Sequence, residues 1–211
     1  MKLISVFGQM AFGKDVVVDC LIEKLNKQIE TKWTHASFAN AVKNVFCESF
    51  GVSRKFIEEW KRRPENPPGM DMPIRQALQF IGTGFRKIKD TIWIEIALRE
   101  ENIILSDGRF INEAVEVKAK DGVAIILYRP GFVNDDPNPS ESQIRPIAEF
   151  CAKHLKDGPI PKYEILKEKF GDECPKEMQY FDYFLNNDGS LYDLYEKVED
   201  LLIPYIQEKA A

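Results

Sequence analysis

Histidine is nearly absent, with two in 211 residues, and the four cysteines Cys20, Cys47, Cys151 and Cys174 stand apart with no CxxC pair. That leaves neither a zinc-ligand spacing nor a disulfide framework, so reduced thiols are expected. No apolar run approaches the ~20 residues of a membrane span, and Met1-Lys2 opens straight into a strand-like run instead of a signal segment. A cytoplasmic protein with no membrane partner is the expectation. There is no excess of positive charge either: 29 Lys and Arg face 34 Asp and Glu, a net charge of −5. Binding to a polynucleotide by counterion release is therefore disfavoured, whereas a small polyphosphate needs only a local positive cluster. Internal repeats and low-complexity tracts are also missing. What is present, 44% hydrophobic and 30% charged residues, reads as one globular domain over 1–211.

The first fifteen residues carry the sharpest signal. The apolar run Leu3-Ile4-Ser5-Val6-Phe7 leads into Gly8-Gln9-Met10-Ala11-Phe12-Gly13-Lys14-Asp15, a buried strand followed by GxxxxGK. Such a loop curls so that successive backbone N–H groups face an anion, with the lysine as a point charge and the following helix offering its positive end. By composition alone the spacing arises by chance in roughly one chain in twenty of this length. The context decides: a strand precedes it, and Val18, Leu21, Ile22, Leu25 and Ile29 follow at helical spacing. Asp15 stands where Ser or Thr ordinarily meets magnesium.

Further along, strands and helices alternate. The pattern predicts strands near 2–7, 33–38, 103–106, 123–128 and 181–185, and helices over about 14–29, 40–50, 53–62, 73–87, 90–99 and 111–121. Gly51 reads as a helix C′ residue, and Arg63-Pro64-Glu65-Asn66-Pro67-Pro68-Gly69 as a loop. A final helix with Leu191, Leu194, Val198, Leu201 and Tyr205 on one face is capped by Ser190. The expected fold class is α/β, three layers with a central five-stranded parallel sheet between helices. An acceptor-binding helical region over about 39–100 and a lid and insertion over about 129–180 elaborate it.

Asp107 closes the apolar strand Ile103-Ile104-Leu105-Ser106 as a Walker B-like acid does. In open parallel sheets ligands gather at the carboxyl ends of strands, so Gly8–Lys14 and Asp107–Arg109 are expected to converge. An acid near Mg²⁺ and an arginine for phosphate are what phosphoryl transfer requires. The alternative for Asp107 is a turn or a cap on the next helix. Asp15 is read either as an oxygen ligand of Mg²⁺ or as a first-turn acid that favours the helix N-terminus. Lys43, Arg75, Gln79, Arg86 and Trp93 form a second set; Arg75 and Gln79, four apart, share a helix face. An arginine fork holds a phosphate and a glutamine reads a base edge, although each alone also fits a solvated helix position or, for Trp93, a core. Arg129 and Arg145 flank the polar stretch 131–140, either as arginines on a closing lid or as surface charge.

The series GQMAFGKD, FANAVKNVF, RQALQFIGT, a Trp ten residues after that Thr, SDGRFINEA, ILYRPG, PSES and NNDGSL resembles the deoxynucleoside monophosphate kinases of bacteriophages, a branch of the P-loop nucleoside monophosphate kinases. The likeness touches residues 1–50, 73–142 and 184–202, and GKD in place of GKS or GKT is usual in that branch. It implies ATP phosphates on Gly8, Ala11, Phe12, Gly13, Lys14, Asp15 and Val16; Asp15 and Asp107 stay the candidate Mg²⁺ ligands on the reading of the residues given above. It implies a deoxynucleoside monophosphate acceptor near Met10, Lys43, Arg75, Gln79, Thr83, Trp93 and Arg109, with Glu113 supporting Arg109 or the acceptor. Lys14, Arg109 and Arg129 would act on the transferred phosphoryl group, and Asn187, in NNDGSL, lies where such kinases receive adenine. Similar enzymes are dimers, an expectation the residues themselves leave open. Relatives often carry His before Ser-Glu in the lid, where this chain has Asn138-Pro139-Ser140-Glu141, and the stretch from about 145 to 180 matches nothing in the family. Two other readings remain: another small-molecule P-loop kinase, such as one for dephospho-coenzyme A, and a regulator that binds nucleotide without turnover.

Overall fold

A computed structural model describes residues 2–28, 32–132 and 142–210. The chain divides into two compact units, Ser37–Glu100 and the remainder. The larger unit is an α/β layer structure around one six-stranded sheet of order β2-β3-β1-β4-β6-β5. Its strands are β1 Leu3–Phe7, β2 Thr34–Ala36, β3 Ile103–Gly108, β4 Val123–Tyr128, β5 Gly158–Pro159 and β6 Tyr183–Asn186. Five run parallel, as the sequence pattern predicts; β5 alone is antiparallel, on β6. This two-residue strand has no apolar period to betray it, so the pattern misses it.

β1 is buried at every position and β4 at all but its last, the mark of strands covered on both faces. Side chains alternate. Ile4, Val6, Val123, Ile125 and Leu127 join a core with Val17, Val18, Leu21 and Leu25 of α1 (Lys14–Gln28) and with Leu194, Val198, Leu202 and Ile206 of the C-terminal helical run. On the opposite face Phe7 meets Phe181 edge-on at 5.4 Å, and α6 (Ile111–Ala119) and the helix Arg145–His154 pack against β4. Each buried Val, Leu or Ile adds roughly 1.5–3 kcal/mol relative to exposure. Ser190 caps the helix Leu191–Lys197, its hydroxyl accepting from Asp193 N–H while Asp193 returns a carboxylate to Ser190 N–H, a reciprocal capping box.

The smaller unit is helical: α2 Phe38–Phe50, α3 Arg54–Trp60, α4 Ile74–Ile88 and α5 Ile92–Ala97. Ser37 caps α2, and Gly51 ends it at φ 64° with its N–H on the Cys47 carbonyl. Phe46, Ile57, Ile74 and Ala77 make one buried cluster, and Ala41, Val42 and Trp93 another. Among the described residues, no helix is long and apolar enough to cross a membrane.

Candidate phosphate-binding site

The loop between β1 and α1 lies at the carboxyl end of the sheet's central strand. Gly8 comes so close to β4 that an added Cβ would sit 2.7 Å from the Leu127 carbonyl oxygen. Gly13 adopts φ 99°, and an added Cβ there would lie 2.9 Å from Asn187 Nδ2. Ala11, at φ 62°, holds a left-handed conformation without being glycine, a local strain of the kind that collects at binding loops. The loop is tied from three sides. Gly8 N–H donates to the Gly108 carbonyl at 3.2 Å. Arg129 Nη1 donates to the Ala11 carbonyl at 3.2 Å, and Asn187 Nδ2 to the Phe12 carbonyl at 2.9 Å.

Lys14 is only 6% exposed. Its Nζ donates to the carbonyls of Gly8 at 2.8 Å and Gln9 at 2.7 Å, so the ammonium is folded under the loop it serves. Burial, and then the like charge of Arg109, lower its pKa from 10.5 to about 7; the carboxylates of Asp107 and Asp15 oppose that. Arg109, Asp107 and Asp15 thus all lie within electrostatic reach of Lys14.

Asp107 lies inside β3 rather than at the cap of α6, whose N-cap position is Phe110. Between Ser5 and Phe7 the β1–β3 register slips by one residue, so Phe7 pairs with Gly108. An irregularity of this kind re-aims side chains beside functional sites, and here it falls at Ser106-Asp107. Glu113, 1% exposed, accepts the backbone N–H of Arg109 at 2.8 Å and of Phe110 at 3.1 Å through Oε2. A carboxylate three residues into α6 thus fixes the backbone that carries Arg109. Met10 and Asp15 are exposed, and Val16 and Asn187 half-buried. The lid stretch, including Asn138, Pro139, Ser140 and Glu141, lies outside the described residues. Arg145, just beyond it, pairs with Glu149 one helical turn on, at 2.9 Å.

Within the helical unit, Arg75, Gln79 and Thr83 are exposed and follow one another at intervals of four along α4. Arg75 borders a cleft of about 470 Å³ lined also by Lys61, Arg62, Arg63 and Gln76. Lys43 is held by Glu58 at 2.9 Å, and Glu58 is brought down to about 2 by its bonds to Lys61 and Lys43. Trp93, read either as part of the acceptor set or as core, lies in a buried cluster with Ala41 and Val42. It is 1% exposed, and its indole N–H is spent on the Gly82 carbonyl at 2.9 Å, because this amphipathic ring completes the core between α2 and α4.

Sequence reasoning overlooks several residues that build the site. Gln9 is 3% exposed within the loop. His35 Nε2 lies 2.7 Å from Ser106 Oγ, next to Asp107. Asp157 and Lys197 hold the segment that carries Asn187. None belongs to a local pattern; the first adjoins glycine in a loop of free composition, and the others meet only through the fold.

Among the described residues, no group of three or more His, Cys, Asp or Glu side chains is placed to hold a metal ion alone. Mg²⁺ bound with a nucleotide needs only one or two carboxylates, phosphate oxygens and water supplying the rest. Asp15 and Asp107 are the two carboxylates whose charge acts on Lys14.

Fold and site together define an α/β protein whose mostly parallel six-stranded sheet carries a glycine-rich GxxxxGK loop at the carboxyl end of its central strand β1. Over 171 residues the chain is 28% identical to an Acanthamoeba polyphaga mimivirus protein described as "Putative deoxynucleotide monophosphate kinase", covering 71% of this chain and 86% of that one. Among solved structures it overlaps shikimate kinase from Acinetobacter baumannii in complex with shikimate (TM-score 0.47, 16% identity, 97% of this chain and 94% of that one). It also overlaps dephospho-CoA kinase from Campylobacter jejuni (TM-score 0.41, 14% identity, 99% and 98%). Overlaps this partial say nothing about substrate. No family model matches the chain.

Proposed function

We propose that the protein transfers the γ-phosphoryl group of ATP to a deoxynucleoside monophosphate, releasing ADP and the diphosphate. The observation that carries this reading is the convergence of Lys14, Arg109, Asp107 and Asp15 on one strained glycine loop. Phosphoryl transfer asks for positioning and for cations at the phosphate oxygens, and needs little else from the protein. The similarity to the mimivirus protein supports the choice of acceptor.

In this mechanism the backbone N–H groups from Gly8 to Asp15 hold the β- and γ-phosphates. Lys14 exchanges its two carbonyl partners for phosphate oxygens and carries its proton while it does so. Bound Mg²⁺ would be held by Asp107 and Asp15 and would neutralise charge on the phosphates. Arg109, its backbone fixed by Glu113, adds a second cation, and Arg129, one bond from the loop, a third. The acceptor phosphate is already anionic, so no general base is required. The residues this reading assigns to the acceptor are Arg75, Gln79 and Thr83, which follow one another at intervals of four along α4. Asn187 and the residues after it receive adenine.

The test is a turnover screen of deoxy- and ribonucleoside monophosphates with ATP and Mg²⁺, with dephospho-coenzyme A alongside. Diphosphate formation that is lost in Lys14→Met is the expected result. Nucleotide binding without transfer to any acceptor would instead support a regulator.

A further inference from the structure

The stretch from about 145 to 180 has no motif, yet Asp157, near its middle, reaches the segment that follows β6. Its Oδ1 accepts the backbone N–H of Asn186, and its Oδ2 pairs with Lys197 Nζ at 2.9 Å. Lys197 Nζ also donates to the Asn186 carbonyl at 2.7 Å and to Asp188 Oδ1 at 2.6 Å. The three protons of the ammonium thus have three acceptors on two separate stretches of chain. The side chains of Asp157 and Lys197 are 19% and 22% exposed, so solvent screens their attraction only in part. Asp157 is itself held in place by the sheet, because the next two residues form β5, paired as Gly158↔Phe184 and Pro159↔Tyr183.

Between the two clamped residues stands Asn187. Its backbone N–H donates to the Tyr128 carbonyl at 2.7 Å, and its side-chain amide to the Phe12 carbonyl at 2.9 Å. That carbonyl immediately precedes Gly13, whose φ of 99° sets up the entry to α1 and Lys14. Hydrogen bonds between half-buried residues therefore run without a break from Asp157 through Lys197 and Asn186 to Asn187 and the phosphate loop.

We infer that Asp157 and Lys197 are positioning residues for the donor nucleotide: they lock Asn186–Asp188 so that Asn187 braces the Phe12–Gly13 turn. The inference rests on the proposed reading of that loop as the ATP site. It gives the otherwise unassigned stretch around Asp157 a task, since β5 and Asp157 together form the outer wall of this brace.

The experiment titrates ATP–Mg²⁺ into the full-length protein by calorimetry and measures steady-state kinetics for wild type, Asp157→Asn, Lys197→Met, Lys197→Arg and the Asp157→Asn/Lys197→Met double variant. Each of the two charge-removing single variants is expected to weaken ATP binding and raise its KM by about tenfold, with kcat within about threefold and acceptor KM unchanged. The double variant is expected to lose little more than the worse single one, as members of one network do. Lys197→Arg keeps the charge and is expected to recover most of the affinity. Asp157→Asn keeps an oxygen for Asn186 N–H, so it supplies a folded variant even where Lys197→Met does not fold. ATP affinity within twofold of wild type in folded Asp157→Asn would overturn the inference, as would a fall in kcat or acceptor affinity as large as the change for ATP. Wild-type protein that binds ATP but phosphorylates no monophosphate would refute the proposed reaction and leave the titration arm to decide the brace. Normal turnover with unchanged ATP affinity in the variants would refute the brace alone.

Discussion

Raising the pH from 7 to 9 is expected to weaken nucleotide binding about fiftyfold through Lys14. In the free protein its amine titrates at about 7, chiefly because it is buried and secondarily because Arg109 is near. Phosphate oxygens require the ammonium form. The second ionisation of a phosphate group has its midpoint near pH 6 and is about nine-tenths complete at pH 7, so above pH 7 the ligand's charge is nearly steady and the lysine supplies the pH dependence. The apparent dissociation constant then scales as 1 + 10^(pH − 7), about twofold above its acid limit at pH 7, about elevenfold at pH 8 and about a hundredfold at pH 9. Binding should also take up protons: about 0.5 per nucleotide at pH 7 and about 0.9 at pH 8. Calorimetry in two buffers of different ionisation enthalpy reads that number directly. The same linkage bears on folding. Between about 7 and 10.5 the unfolded chain holds the Lys14 proton and the folded protein does not, so this group destabilises the free fold most at and below pH 7 and relaxes that cost as the pH rises. Nucleotide affinity flat from pH 7 to 9, with proton uptake near zero, would refute the reasoning. Lys14→Met should remove both the uptake and the steep pH dependence.

Other substitutions test the scaffold around that amine. Gly8→Ala forces a Cβ to 2.7 Å from the Leu127 carbonyl, a backbone atom that cannot swing aside; a loss of at least about 2 kcal/mol in urea unfolding is expected, together with loss of ATP binding. Glu113→Gln leaves the shape but removes the charge that holds the N–H groups of Arg109 and Phe110; about 1–3 kcal/mol of stability should go, with kcat falling more than either KM rises. Trp93→Ala, deep in the helical core, should cost about 3–5 kcal/mol by chemical denaturation, whereas a ring lying open at an acceptor site would cost far less. Ser190→Ala removes the cap of the helix beside Asn187 and should lower stability by about 1 kcal/mol.

What could be read from the sequence was whatever is local. β1, the glycine loop and α1 announce themselves within 28 residues, because an apolar run, two glycines, a lysine and a helical period are contiguous. The helix caps at Ser190 and Gly51 likewise need only their neighbours, and both form as the pattern predicts. The parallel sheet follows from alternation, since strands separated by helices leave few other arrangements. Three features escape such reading. β5 is too short to show a period. The slip in register at Ser106-Asp107 depends on how β3 meets β1, and no property of either strand alone encodes it. Asp157 and Lys197 are 40 positions apart and meet only because β5 pairs with β6. For Trp93 the sequence leaves acceptor contact and core both open; its indole N–H bonds to the Gly82 carbonyl on the neighbouring helix, a partner that only the fold supplies.

The most direct measurement of the central claim is product analysis of ATP–Mg²⁺ with each deoxynucleoside monophosphate, scored for ADP and deoxynucleoside diphosphate in the same reaction. The account predicts equal amounts of the two products with at least one acceptor, and none with Lys14→Met. ATP binding without diphosphate from any monophosphate, or transfer only to dephospho-coenzyme A, would contradict it.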